Sequence, residues 1–312
     1  MGNSIKKNFF TILLRVACFL SIFILGNSFM SAQAANITDV DTQMDKISDF
    51  YFKNEFEGKD LPDKPGAYHY LLLESKKTDM DLNLNASDLK NLSYSDTTPE
   101  YVGENEFDNR NGEKQQTFTT ASYSHQVTNT VSTAVTQGFK VGGKTTLFNK
   151  SVLLPDGVDI VAEFNSQTSE TKTKTDTKTL TASPQNITVP AGKIYQVKVD
   201  MAKKTFNGDI DFSAVGTNVM SSLYMRATYY GPGFPRPTLY PSLSFGTADI
   251  YERLSFEQKN QVKGLNFDTN KNLQLYGKAR VNGIVGSKLR VSVYDITESK
   301  VTPKLVQQKS IN

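Results

Sequence analysis

The chain is poor in the residues that build staples and reactive centres. In 312 residues it has no tryptophan, one cysteine and two histidines. The cysteine, Cys18, lies in a basic and apolar leader, so the remainder offers neither a disulfide nor a thiol. His69 and His125 are far apart in sequence and lack metal-ligand spacing. No nucleophile elbow, phosphate-binding glycine loop or Cys/His pairing occurs. These absences speak against thiol, metal and phosphoryl chemistry, against an enzyme built on them and against a cofactor. Carboxylates are the one catalytic resource in supply, with 32 acidic residues, so a glycosidase-like pair stays open. Long apolar runs are missing too: residues 16–25 form an apolar run broken by Ser21, about half of the ~20 that a spanning helix needs.

That run has a use of its own. Lys6, Lys7 and Arg15 lead into it and Ala32-Gln33-Ala34 follows as a small-residue cleavage site. The pattern is that of a secretory signal peptide over residues 1–34, cut after Ala34. The leader takes three of the 35 basic residues and no acidic one, so 32 of each sign remain and the secreted chain is formally neutral. Neutrality removes the electrostatic ground for expecting nucleic acid as a partner.

Residues 35–111 read as a mixed α/β head. Val40, Met44, Ile47 and Tyr51 have helical spacing behind a Thr38/Asp41 capping pattern. Aromatics crowd around the turn-forming stretch 61–66, a strand is expected over 70–73 and a short helix near 87–92. From 117 to 188 about a third of the residues are Ser or Thr without helical period, so 112–190 is read as a region of long strands. Residues 191–312 read as a β body with strands over 194–201, 210–215 and 223–230. A closing hairpin of 273–281 and 288–296 is expected to turn over Asn282-Gly283. The fold class is mainly β: an elongated molecule of long antiparallel strands with a small α/β head.

Alternation in the Ser/Thr-rich region predicts an amphipathic hairpin over about 127–176. In its first arm Val127, Val131, Val135, Phe139, Val141 and Leu147 share one face, while Thr128, Thr130, Ser132, Lys140 and Lys144 share the other. The second arm reverses parity, with Val158, Ile160, Ala162 and Phe164 against Asp159 and Glu163. Pairing Lys140 with Glu163 also pairs Lys144 with Asp159, and the same register sets Phe139 against Phe164 and Ser132 against Thr171. A slip of two residues keeps the faces; a slip of one exposes the apolar side. The tip falls on Asn149–Leu154, with Val152, Leu153 and Leu154 as an apolar rivet. Residues 139–147 and 156–164 approach the ~9 to 11 residues with which a tilted strand crosses hydrocarbon. In that setting Phe139, Val141, Leu147, Val158, Ile160, Ala162 and Phe164 face lipid, and Lys140, Lys144, Asp159 and Glu163 face a watery lumen. A lone hairpin leaves its edge N–H and C=O groups unpaired in lipid, so closure into a barrel by several copies is required.

Ser122 to Gly143, Gly157-Val158 followed by Ala162-Glu163-Phe164-Asn165, the Thr/Lys run of 168–181 and Pro184 to Lys193 together resemble the clostridial epsilon-toxin and bacillus mosquitocidal-toxin family of aerolysin-type pore formers. The resemblance covers about 117–215 well and the ends loosely. It implies a secreted, mostly β toxin that binds a cell-surface receptor, is often trimmed by protease, and forms a homo-oligomeric ring before a hairpin enters the target-cell membrane.

Exposed aromatics are the candidate receptor contacts, in two groups: Tyr51, Tyr68 and Tyr70, and Tyr229, Tyr230, Phe234 and Tyr240. Core packing is the competing reading of both. Lys300, Lys304 and Lys309 mark a tail over about 298–312 that a trypsin-like protease can remove, against the alternative of a frayed, untrimmed end. His125 reads as an acid sensor or, more simply, a solvated histidine. The rival function is a secreted β-sandwich binding protein, a lectin or adhesin, that never enters a membrane; a secreted hydrolase is the third.

Overall fold

Alternating apolar residues let a strand bury one face along its whole length, and the longest strand here does so. The computed structural model describes residues 35–60, 68–144, 146–229 and 237–311. Strands take 63% of it and helices 11%, which makes the class mainly β with an elongated sheet. Strand β11 (Lys193–Tyr229) runs for 37 residues, roughly 120 Å at 3.3 Å per residue. Val197, Val199, Ile210, Phe212, Ala214, Leu223, Met225 and Ala227 are buried along it. The three separate strands expected here are thus one. Gly208 and Gly216 sit where Leu89, Leu273 and Met80 come close, so these glycines make room and do not turn the chain.

The same correction applies to β14 (Leu273–Asp295), which runs through Asn282-Gly283 without turning. It is antiparallel to β11 from Gly216↔Leu273 to Tyr195↔Asp295, with one irregularity between Ala202 and Lys203. A Cβ on Gly283 would overlap the Thr130 carbonyl and the Phe206 ring. Along the other edge of β11 lie β2 (Tyr68–Ala86), β3 (Lys90–Asp96) and β4 (Glu100–Asn109), end to end and each shifted in register. The segment read as a head therefore places three strands in the main sheet. No helix forms near 87–92: the chain steps from β2 to β3 there, with Ser87 N–H donating to Asp211 O at 2.8 Å and Asn91 at φ 53°.

Beyond β14 comes β6 (Tyr123–Lys140), then β9 (Lys172–Ala182) on the outer side of β6. Strand β1 (Asn36–Asp39) joins the end of β6 in parallel. Strand β5 (Gln116–Thr119) pairs with β10 (Asn186–Val189) as a separate ribbon. Strands β12 (Ser242–Gly246), β13 (Asn266–Phe267) and β15 (Lys304–Ile311) complete the main sheet. The lysine-rich tail is therefore a strand on β14, from Leu289↔Ile311 to Asp295↔Lys304.

Helix α1 (Val40–Glu55) forms because Val40, Met44, Ile47 and Phe52 repeat at helical spacing and bury together. Its N-cap is Asp39, which accepts from Thr42 N–H, and not Thr38, which lies one residue further out in β1. Two short helices, α2 (Thr247–Arg253) and α3 (Phe256–Gln261), follow β12; Ser255 and Gln258 form a capping box on α3.

Gly283→Val tests the reading of β14 as one strand. Overpacking against Phe206 is expected to destabilise the fold by about 1–3 kcal/mol in urea unfolding. A turn at this point would tolerate the change with far less loss.

Candidate functional site

Between β6 and β9 the chain leaves the main sheet. Strands β7 (Leu147–Leu153) and β8 (Asp159–Asn165) pair only with each other among the described residues, from Leu147↔Asn165 to Leu153↔Asp159. They lie as a two-stranded flap whose apolar side is shut against the body. Phe148, Val152, Leu154, Val158, Ile160, Ala162 and Phe164 are all buried in the core that holds Phe206, Ile210 and Phe212. Phe148 and Phe164 are ladder partners and stack at 5.0 Å, and Phe212 of β11 meets both, at 4.9 and 5.0 Å. Phe139, at the end of β6, packs on the same Phe212 ring at 5.8 Å. The structure thus brings Phe139, Val141, Val158, Ile160, Ala162 and Phe164 into one core.

The predicted register is corrected in two places. The stem, β6 with β9, pairs Ser132 with Thr173 and Thr128 with Thr177, two residues from the expected alignment and with the same faces kept. Hydroxyls meet across it: Ser124 with Thr181 at 2.9 Å, Thr128 with Thr177 at 3.2 Å and Ser132 with Thr173 at 2.9 Å. Above the stem the chain turns at Gly142-Gly143, with Gly143 at φ 68°, so parity is reset before β7. Leu147 consequently faces solvent (38% exposed) while Phe148 takes the buried side. The flap reverses at Leu154-Pro155-Asp156-Gly157, not at 149–154: Gly157 N–H donates to Leu154 O and Gly157 has φ 78°. Pro-Asp-Gly supplies turn chemistry. Of the expected tip residues Val152 and Leu154 are buried and Leu153 is exposed.

The expected ion pairs within the hairpin are absent from this form, because each charge meets a group outside that register. Lys140 Nζ lies 3.7 Å from Asp39, Lys144 Nζ 3.7 Å from Asp79, and Glu163 3.6 Å from Lys172. Asp159 accepts from Ser151 Oγ at 2.6 Å.

A polar latch that the sequence reading missed holds the tip. Asp156 lies 3.3 Å from Lys204 Nζ on β11 and accepts from Tyr94 Oη on β3 at 3.3 Å. Lys204 also meets Asp96 at 3.4 Å and sits over the Tyr94 ring at 4.7 Å. Lys150, on β7, is 2.8 Å from Asp88. Burial alone would raise the Asp156 carboxyl, but Lys204, together with Lys288 and Ser287, outweighs it and holds the group below its ordinary value. Burial, reinforced by the Asp156 charge, pushes the Tyr94 hydroxyl up to about 12. Pro-Asp-Gly is the local signal that could have placed the turn; the partners of Asp156, which come from β3 and β11, leave no local signal.

The aromatic candidates converge at one end of β11. Tyr51 is half-buried, edge-on to Phe56 at 5.6 Å and to Phe245 at 4.7 Å. Tyr229 packs against the same small core and is the ladder partner of Tyr68. Tyr70 lies in β2 and Tyr240 is exposed. Tyr230, Phe234 and Ala34 lie outside the described residues. His125, on β6, lies 3.4 Å from Glu100.

A long-stranded sheet that carries an amphipathic flap outside its ladder defines an aerolysin-like β protein. The chain belongs to the Clostridium epsilon toxin ETX/Bacillus mosquitocidal toxin MTX2 family, which it matches over residues 78–305. It is thus a member of a family of β-pore-forming toxins. No curated protein matches it. Its fold is similar to that of the Mpp75Aa1.1 beta-pore-forming protein from Brevibacillus laterosporus, at TM-score 0.58 and 20% identity over 88% of this chain and 95% of that one. The Cry23Aa1 and Cry37Aa1 binary protein complex is similar at 0.50 and 18%, over 89% and 96%. A non-toxic crystal protein from Bacillus thuringiensis is similar at 0.53 and 13%, over 82% and 96%. The last of these means that fold alone does not decide toxicity.

Asp156→Ala is expected to speed amide exchange across β7 and β8 while the β6–β9 stem stays protected. The latch contribution is full above the ordinary carboxylate range near pH 4 and is lost as pH falls through the lowered native value. Exchange measured from pH 5 to 2 should show this acid limb in the unmodified protein and not in Asp156→Ala.

Proposed function

We propose that this protein is a secreted β-pore-forming toxin whose flap leaves the body and, in a ring of copies, becomes a transmembrane hairpin. One observation carries the reading: β7 and β8 share no ladder with the body among the described residues, so side-chain packing, the latch and polar side-chain contacts such as Glu163 with Lys172 hold them there. Detaching the flap breaks no sheet. Its apolar face then exchanges a protein core for hydrocarbon, and the barrel supplies the missing edge partners.

In the inserted state the stem register extends upward. Propagating Ser132↔Thr173 sets Val141 opposite Phe164 and Leu147 opposite Val158, with Ile160, Ala162 and Phe139 on the same lipid-facing side. Lys140, Lys144, Asp159 and Glu163 fall on the lumen side, where Lys140 and Glu163, like Lys144 and Asp159, become diagonal neighbours. Leu147 returns to the apolar face once 141–146 extend. Val152, Leu153 and Leu154 lie at the leading end.

Receptor contact is assigned to the aromatic end, with Tyr51, Tyr68, Tyr70, Tyr229 and Tyr230 as its candidates, and with 35–111 as the region that carries most of it. Secretion follows from cleavage after Ala34. Trimming of the tail at about 298–312 means stripping β15 from the β14 edge. A lectin or adhesin using the same aromatic end is the second reading, favoured by the non-toxic relative of this fold.

A tether decides between them. Asp88→Cys with Lys150→Cys, at a contact of 2.8 Å in the native protein, is joined by a short reducible thiol cross-linker. The tethered protein is expected to bind target cells yet release no entrapped dye, and reductant should restore release together with detergent-resistant oligomers. Equal release with and without the tether sinks the flap assignment; binding without release in either state supports the adhesin.

A further inference from the structure

We propose that β1 is a placeholder strand: it occupies the edge of β6 that the second arm of the hairpin must take, and so keeps the hairpin from zipping. The inference rests on the pore reading above and names what restrains it. A strand has two edges. Gln137 pairs with Lys278 of β14 on one edge, and its other partner is Asn36 of β1. Ser132 pairs with Asn282 of β14 on that same first edge, and its other partner is Thr173 of β9. Strands β1 and β9 therefore lie in line on one edge of β6, opposite β14. From Thr133 downward the edge belongs to β9; from Gln137 to Lys140 it belongs to β1.

Extending the stem register assigns Gln137 to Lys140 to the last residue of β8 and the three that follow it, 165–168. Those residues wait nearby: Ser166 Oγ donates to Phe139 O at 2.7 Å. They cannot form the ladder while β1 holds it.

The segment that leads from β1 into α1 also clips the turn that must straighten. Asp41 Oδ2 accepts from Gly142 N–H at 2.5 Å, Asp39 lies 3.7 Å from Lys140 Nζ, and Asp79 from β2 lies 3.7 Å from Lys144 Nζ. A Cβ at Gly142 would meet the Asp41 carboxylate, so a larger residue there would displace that side chain. Withdrawal of residues 36–41 therefore does two things at once: it frees the edge and removes the Asp39 and Asp41 contacts from the turn, leaving Asp79 on Lys144.

Asn36→Cys with Gln137→Cys tests this, since both positions are exposed register partners and residues 35–312 contain no other thiol. Neighbouring strands lie within disulfide reach. The oxidised protein is expected to bind cells and release no dye, with release restored by reductant. A disulfide at Thr117→Cys with Thr188→Cys, register partners in the separate β5–β10 ribbon, should leave release unchanged. Full release by the oxidised Asn36/Gln137 protein overturns the placeholder while leaving the pore reading intact. Should the unmodified protein release nothing, the pore reading has failed and the clip is judged on the soluble form alone. Asp41→Ala is then expected to speed amide exchange of 142–148 and of the flap by about tenfold or more, with the β6–β9 stem unchanged. Exchange equal to that of the unmodified protein overturns the clip.

Discussion

An apolar strand face has to be covered wherever it goes, and that requirement governs the flap. Burying a large apolar side chain stabilises by about 1.5–3 kcal/mol. Phe148, Val152, Leu154, Val158, Ile160 and Phe164 together therefore hold the flap to the body by on the order of 10 kcal/mol in water. Opening it into water forfeits that gain. Opening it into hydrocarbon does not, because the face meets another apolar medium. The same residues can thus lock one state and drive the other, and the choice between states passes to the polar contacts and the strand edges.

Edges are where the balance is set. In water a free edge is solvated, and β7 and β8 tolerate two; in lipid each unpaired N–H or C=O costs several kcal/mol. In the proposed pore, insertion therefore waits on partners. Part of that pairing is prepared, since the β6–β9 stem already has its hydroxyl pairs in register. The rest is withheld at Gln137 to Lys140, where β1 is paired. Holding a strand half-zipped is a simple way to keep an aggregation-prone edge from finding a neighbour too early.

In the stem the sequence made parity legible and left register open, for a physical reason; in the flap the Gly142-Gly143 turn reset parity, so that Leu147 is exposed and Phe148 buried. Alternation has period two, so moving one arm by two residues changes no face; only the hydroxyl and backbone contacts of the folded chain choose between alignments, and they chose Ser132 with Thr173. Charges were a weaker guide. Lys140, Lys144 and Glu163 are solvated enough to accept whichever opposite charge lies nearest, and Asp39, Asp79 and Lys172 are nearest. Glycine misled in both places. Asn282-Gly283 carries a hairpin signal, yet Gly283 serves a close approach inside a strand; Gly142-Gly143 lies in a stretch read as continuous strand and Pro155-Asp156-Gly157 follows the expected tip at 149–154, yet both turn. Sequence alone cannot separate the two uses, because the ring of Phe206 arrives from elsewhere in the chain. The aromatic residues show the same limit: Tyr51 and Tyr229 are far apart in sequence and meet one small core.

Helix α1 links the two ends of this arrangement. It begins at the cap residue Asp39, which is also the last residue of β1, and ends beside Phe52 and Phe56 in the aromatic cluster. Sixteen residues at 1.5 Å per residue make a rod of about 24 Å. A rod transmits displacement along its axis, and a parallel ladder of four residues has little to resist it. Helix α1 therefore joins the proposed receptor residue Tyr51 and the proposed placeholder β1 in one continuous segment, although Tyr51 and Gln137 are far apart in the chain.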